Sequence, residues 1–211
     1  MTKSQQNTLE TAIVLLSYNS LPLVTKFLPK IVNTVPNSPD IEIIVVDNAS
    51  TDGTKEFVEK EFPGVTLMRF EKNVGFTGGY LKSLAQIEAK NYVLISSDIE
   101  VTEGWFQPAI DLLNSSEDIA CVQPKVMSYD RRTEFEYAGA AGGYIDALGY
   151  PFCKGRMINV CENDTGQYDE VSEIFWASGA CLFIKSEAWR KADGFDKDFF
   201  AHMEEIDMCW R

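Results

Sequence analysis

The chain is short of positive charge, of histidine and of long apolar runs, and each shortage removes a class of function. Lysine and arginine number 19 against 32 acidic residues, a formal net charge of −13. Such a chain repels phosphate backbones and anionic lipid headgroups, so no nucleic-acid partner and no electrostatic membrane docking are expected. Its longest apolar runs, Ala12 to Leu16 and Ile43 to Val46, are far too short to span a bilayer. Met1 to Glu10 is polar and lacks the apolar segment of a signal peptide. The single histidine, His202, means that any metal site is mostly oxygen-ligated, which favours Mn²⁺ or Mg²⁺ over zinc. The five cysteines (Cys121, Cys153, Cys161, Cys181, Cys209) are odd in number and form no C-x-x-C pair. Neither a zinc site nor a disulfide framework is indicated, and reduced thiols in a cytoplasmic protein are the simplest reading.

What is present is enough for one domain: 211 residues, 45% of them hydrophobic and 12% aromatic. Residues 1–10 read as a disordered lead-in and 11–211 as the domain. Thr11 to Ser17 and Ile41 to Val46 are continuously apolar, as buried strands are, and end at Tyr18-Asn19 and at Asp47. Leu21 to Asn33 has helical spacing with Pro22 in its first turn. Asp47 to Gly53 is a turn cluster, Thr54 to Phe62 a helix stopped by Pro63-Gly64, and Val65 to Phe70 a third strand. Thr77 to Glu88 reads as a helix entered through Gly75-Phe76-Thr77-Gly78-Gly79, and Tyr92 to Ile95 as a fourth strand. This alternation predicts an α/β fold with a mostly parallel sheet flanked by helices. Trp105 to Asn114 reads as a helix, and Ile119 to Lys125 and Phe175 to Ile184 as strands. Ser186 to Ala192 is a short helix, and Glu204 to Arg211 begins a helix that the chain end cuts off. Residues 126–172, rich in glycine and aromatics without a period, predict a smaller irregular β portion of hairpins and loops.

Ligands of such sheets lie beyond the carboxyl ends of the strands. Tyr18-Asn19, Asp47-Asn48 and Asp98-x-Glu100 all fall there. Carboxylates at a strand end suit a hard divalent cation, and a second acidic cluster, Glu204-Glu205-Ile206-Asp207, offers a general base. Helical geometry prevents all three of these carboxylates from facing one cleft, and Ile206 and Met208 are expected to point into the core. The N-terminal end of a helix is expected to lower the pKa of a carboxylate placed there.

Taken in order, Val14 to Asn19, Val45 to Thr54, Asn73 to Gly79, Ser96 to Val101, Ala177 to Leu182 and Gly194 to Arg211 resemble glycosyltransferase family 2, the inverting enzymes of GT-A, Rossmann-like fold. The series is similar to the rhamnosyltransferase-like branch of bacterial polysaccharide assembly. The resemblance implies a nucleoside-diphosphate sugar donor, a glycan or lipid-linked acceptor, and Mn²⁺ or Mg²⁺ held by Asp98 and Glu100. It implies nucleotide contacts from Ser17, Tyr18 (stacking on the base), Asn19, Asp47 (accepting from the base), Asn48, Asn73, Gly75, Phe76 and Asp98. It places Gly79, Trp176, Ser178, Gly179, His202 and Glu204 along the sugar and acceptor subsites, with Glu205 as the catalytic base that inverts a hexosyl or deoxyhexosyl centre. The chain departs from the family pattern at Leu81, where Asn is common, and at Glu205, where the base is usually Asp. It also stops inside the helix carrying the base, so the alternative is a sugar-nucleotide-binding fragment without turnover. A nucleotidyltransferase is the weaker alternative, since no G-G-x-G-T-R-like loop follows the first strand. Cytoplasmic residence is implied, with the inner membrane face as the variant should further sequence follow.

Overall fold

The computed structural model describes residues 8–211. The expected lead-in over 1–7 lies outside the described residues, whereas Leu9 and Glu10 belong to the first strand. β1 (Leu9–Ser17), β2 (Ile41–Asp47), β3 (Thr66–Arg69) and β4 (Ala89–Ser96) are the parallel core of a six-stranded sheet. β10 (Cys181–Lys185) runs antiparallel between β4 and the short β5 (Cys121–Val122), giving the order β3-β2-β1-β4-β10-β5. Two small hairpins, β6 (Gly143–Ile145) with β7 (Pro151–Cys153) and β8 (Arg156–Met157) with β9 (Val160–Cys161), form the expected irregular portion.

The strands read as unbroken apolar runs because both faces of the sheet are covered. Alternate residues go to opposite sides. Ala12, Val14 and Leu16 share one core with Val46, Leu94, Tyr80 and Leu84 of α3 (Gly75–Leu84), Trp189 of α5 (Ser186–Lys191) and Met208 of α6 (Glu204–Trp210). Ile13 and Leu15 face a second core with Val24, Leu28 and Ile31 of α1 (Leu21–Thr34), Val58 of α2 (Thr54–Glu61) and Leu113 of α4 (Gln107–Asn114). A third, smaller cluster of Phe135, Ala140, Cys153 and Trp176 ties the hairpins to Ile206 and Cys209 of α6. Met208 and Ile206 thus point inward, as expected. No helix among the described residues is long and apolar enough to cross a membrane.

Several boundaries differ from the sequence reading. α3 starts at Gly75 and ends at Leu84, and β4 begins at Ala89, three residues before Tyr92. The strand expected over Ile119 to Lys125 shrinks to Cys121–Val122. Gln123 spends its side chain on the Gly139 carbonyl and on the Ser178 N–H, and Pro124 has no N–H to extend a ladder. The strand expected from Phe175 starts only at Cys181. The N–H groups of Phe175 and Trp176 go to the Gly143 carbonyl, which joins the chain to β6 instead.

Trp176 is buried, donates its indole N–H to the Tyr144 carbonyl at 2.8 Å and lies against Gly143. The ring of Trp176, expected along the sugar and acceptor subsites, is the core on which the β6–β7 hairpin rests. A methyl group at Gly143 would overlap the rigid indole. Gly143→Ala should cost about 2 kcal/mol in urea unfolding, within the usual range for overpacking. Gly64→Ala, where a Cβ meets nothing within 4 Å, should be near neutral. Equal midpoints for the two variants would remove Trp176 as the anchor.

Candidate active site

The chain runs outward from β1 to β2 and β3, then returns to place β4 on the other side of β1. The sheet therefore switches direction between β1 and β4, and a crevice opens beyond their carboxyl ends. Pairing is in register there: Ser17 lies beside Asp47, and Leu16 beside Ser96. Because β10 is antiparallel to β4, its leading residues reach the same edge, and the Ser96 N–H donates to the Ala180 carbonyl at 3.0 Å.

Two networks organise the β1 and β2 ends. Ser17 and Ser20 hydroxyls pair at 2.7 Å. Asn19, in the left-handed region at φ 48°, donates its N–H to Ser50 Oγ, and its Oδ1 accepts from the Thr51 N–H. Tyr18 beside it stays half-exposed. The Asp47 side chain is fully buried; Oδ1 accepts from the Ser50 N–H and Oδ2 from Arg69 Nη1, each at 2.8 Å. The expectation that Asp47 accepts from a base meets a carboxylate already engaged at both oxygens. The sequence reading missed Arg69, its register partner across β2 and β3. Asn48 donates to Asn73 Oδ1 and to the Gly75 carbonyl and accepts from the Val74 N–H, while Asn73 Oδ1 also accepts from the Gly75 N–H. Asn48 and Asn73 thus clamp the entry to α3. Gly75 there has φ +77°, and a Cβ on it would lie 2.9 Å from the Phe200 ring. Gly79 is buried, and a Cβ on it would stand 2.7 Å from Leu16 Cδ1. Gly79 is a close helix-to-sheet contact, and the sugar role expected of it is not where the fold places it.

A cleft of about 870 Å³ lies beyond the ends of β4 and β10. It brings together Phe76, Asp98, Glu100, Ser178, Gly179, His202, Glu204 and Glu205 from the sequence-predicted set. Ser17, Tyr18, Asn19, Asp47, Asn48, Asn73 and Gly75 do not line it and sit on the β1–β2 side of the same edge. Its far wall is the segment from Pro124 to Ala138, which joins the end of the expected Ile119–Lys125 strand to the start of the expected hairpin-and-loop portion. Phe76 packs edge-on against Tyr80 at 5.0 Å, which fixes its ring at the base of the cleft.

The carboxylates differ in their surroundings. Asp98 is exposed and, among the described residues, has no hydrogen-bond or ion-pair partner. Glu100 is paired with both Lys30 and Arg132. Among the described residues no group of three or more histidine, cysteine or acidic side chains is arranged to hold a metal alone. Mg²⁺-type ions bind through one or two carboxylates plus substrate phosphates, and Asp98 suits that mode; Glu100, already neutralised by two cations, does not.

Glu204 and Glu205 each have one buried carboxylate oxygen without a partner. Burial pushes both pKa values above the usual glutamate range, and for Glu205 the Glu204 charge adds to the rise. The lowering expected from a helix end is overruled: α6 has seven residues and no side-chain cap, and desolvation dominates. As whole residues Glu204 is buried and Glu205 partly so, and each keeps one carboxylate oxygen out of solvent. His202 and Met203, which lead into them, hold consecutive left-handed conformations at φ 73° and 71°, a strained approach of the kind found at working sites.

Comparison with known proteins bears on the fold and the family. The chain is 22% identical over 214 residues to the N-acetylglucosaminyl-diphospho-decaprenol L-rhamnosyltransferase of Mycobacterium tuberculosis, a match covering 93% of this chain and 68% of that protein. Its fold is similar to that of the mannosyltransferase PcManGT from Pyrobaculum calidifontis, solved with GDP-Man and Mn²⁺ (TM-score 0.64, 17% identity, 96% of this chain and 51% of that one). It is similar to GalNAc-T7 solved with UDP, GalNAc and Mn²⁺ (TM-score 0.69, 14% identity, 97% and 40%). It is also similar to Staphylococcus aureus TarS 1–349 (TM-score 0.66, 16% identity, 95% and 54%). The chain thus spans about half the length of these solved structures. Residues 12–167, well over half of the chain, match the model of glycosyl transferase family 2, and the chain belongs to that family.

Proposed function

We propose that this chain is a single GT-A domain that moves a hexosyl or deoxyhexosyl group from a nucleoside-diphosphate sugar to an acceptor hydroxyl with inversion, in cell-surface polysaccharide synthesis. The observation that carries this is the presence, in one cleft beyond β4 and β10 and beside the switch point, of an open carboxylate and two carboxylates with unpartnered buried oxygens. The mycobacterial relative, a rhamnosyltransferase by name, supports a deoxyhexosyl group and a lipid-linked acceptor. The mannosyltransferase and GalNAc-T7 structures, each solved with Mn²⁺, support a divalent cation.

In this reading Tyr18 offers its exposed ring to the base, and the Asn48–Asn73 clamp and Gly75 shape the loop beside the phosphates. The Arg69-bound Asp47 carboxylate supports the Ser50 turn from below. Asp98 would hold Mn²⁺ or Mg²⁺ together with the diphosphate; such a cation, when bound, neutralises charge developing on the leaving oxygens. Phe76, Ser178, Gly179 and His202 line the space for the sugar and acceptor. Glu205 removes the proton from the acceptor hydroxyl. That oxygen forms its bond to the anomeric carbon as the bond to the diphosphate oxygen breaks on the opposite face, which inverts the centre. A base must be ionised yet basic, and a pKa raised by burial serves the second need.

Asp98→Asn should weaken binding of GDP, UDP or dTDP in Mn²⁺ by at least tenfold, about 1.4 kcal/mol, while affinity in EDTA is unchanged. Calorimetry that finds the parent equally tight with Mn²⁺ and with EDTA removes the cation from the account.

Glu205→Gln should bind donor normally and lose at least ~10²-fold in kcat. The parent's rate should rise with pH through a value above the ordinary glutamate pKa of about 4.3. Glu204→Gln should move that limb to lower pH, because the Glu204 charge is one cause of the raised Glu205 pKa. Stability has its own sign. A carboxyl whose folded pKa is raised holds its proton more tightly when folded, so the parent loses stability as pH rises through that pKa. Glu204→Gln, which cannot ionise, should therefore gain on the parent in thermal stability at pH 7 and match it at about pH 4 or below. An advantage independent of pH, or a limb that moves upward, contradicts the coupling of the two carboxylates.

A further inference from the structure

Glu100 is an acidic residue of the cleft to which this chemistry gives no role. Its side chain is only 12% exposed and sits against Lys30 of α1 and Arg132 of the far wall. The attachment has a second part. The Arg132 guanidinium lies 4.3 Å and the Lys26 ammonium 4.2 Å from the Tyr129 ring centroid, and Phe27 meets the same ring edge-on at 5.6 Å. Lys26, Phe27 and Lys30 all belong to α1, whereas Tyr129 and Arg132 belong to the cleft wall. One carboxylate and one aromatic ring thus join the wall to α1. A carboxylate with two cations in contact is already neutralised. Moving it onto an added divalent cation would break both of these pairs, although Lys30 and Arg132 are themselves about half exposed and would pass to water.

We infer that Glu100 is a positioning residue that fastens the 128–132 wall of the cleft to α1, and that Asp98 is the carboxylate of the Asp98-x-Glu100 pair open to a cation. The fastening stands on the ion pairs and the Tyr129 contacts; the statement about the cation rests on the sugar-transfer reading. The wall it holds faces the same cleft as Glu205, so the fastening sets the width available to an acceptor.

The test uses the parent chain, Glu100→Gln, Arg132→Gln, the double variant and Asp98→Asn. Amide hydrogen exchange over residues 127–133 should be about fivefold faster in each of the Glu100 and Arg132 variants, as expected when a local attachment is lost, and no faster in the double variant. Calorimetry with Mn²⁺ and GDP, UDP or dTDP should show the Mn²⁺-dependent affinity changed less than about twofold in Glu100→Gln and reduced at least tenfold in Asp98→Asn. Unchanged exchange in both single variants, or additive effects in the double, overturns the fastening. Loss of Mn²⁺ dependence in Glu100→Gln equal to that in Asp98→Asn overturns the assignment to Asp98. If no nucleotide binds the parent, the sugar-transfer reading fails, and exchange still decides the fastening. If Glu100→Gln does not fold, Arg132→Gln decides it.

Discussion

The parallel pairing of β1 with both β2 and β4 is the constraint on which the cleft depends. It brings Ser17 level with Asp47 and Leu16 level with Ser96, so turns separated by up to about eighty residues of sequence open at one edge. Parallel pairing in turn requires helices on both faces, and the two cores supply the cover. The antiparallel β10 adds the Ser178–Ala180 turn to that edge without a further crossover. Shifting β1 by a single residue would turn Ile13 and Leu15 from the α1 side to the α3 side and unmake both cores together.

The second constraint is electrostatic. The chain carries a large negative charge, yet four acidic groups of the cleft are held in three different states: Asp98 exposed, Glu100 neutralised by two cations, Glu204 and Glu205 desolvated. An open carboxylate suits a cation, a paired one suits scaffolding, and a desolvated one suits proton transfer. The unpartnered oxygens of Glu204 and Glu205 cost stability in the free chain, the usual sign of groups kept for a ligand.

Most of the sheet was legible because buried parallel strands announce themselves as unbroken apolar runs, and the strand-end positions of Asp47, Asp98 and Tyr18 followed from that alone. The pairing state of the acidic groups was not legible. Nothing near Glu100 in sequence predicts Lys30 or Arg132, 70 and 32 residues away. Arg69 was equally hidden, since its match to Asp47 exists only through the β2–β3 register. Trp176 and Gly79 were ambiguous for a shared reason. An aromatic among small residues, or a glycine at a helix entry, looks the same whether it meets a ligand or a tight core contact. The second half was opaque because its backbone bonds run between turns, such as Phe135 with Glu162 and Gly143 with Trp176, and leave no period to read.

The central claim is that a nucleotide binds across the carboxyl ends of β1, β2 and β4. The most direct measurement is the amide-exchange footprint of GDP, UDP and dTDP in Mn²⁺ on the parent chain. The account predicts protection over residues 17–20, 47–51, 73–77 and 96–99, with the amino ends of the same strands unchanged. Protection confined to the β6–β9 hairpins, or to the opposite edge of the sheet, would contradict it.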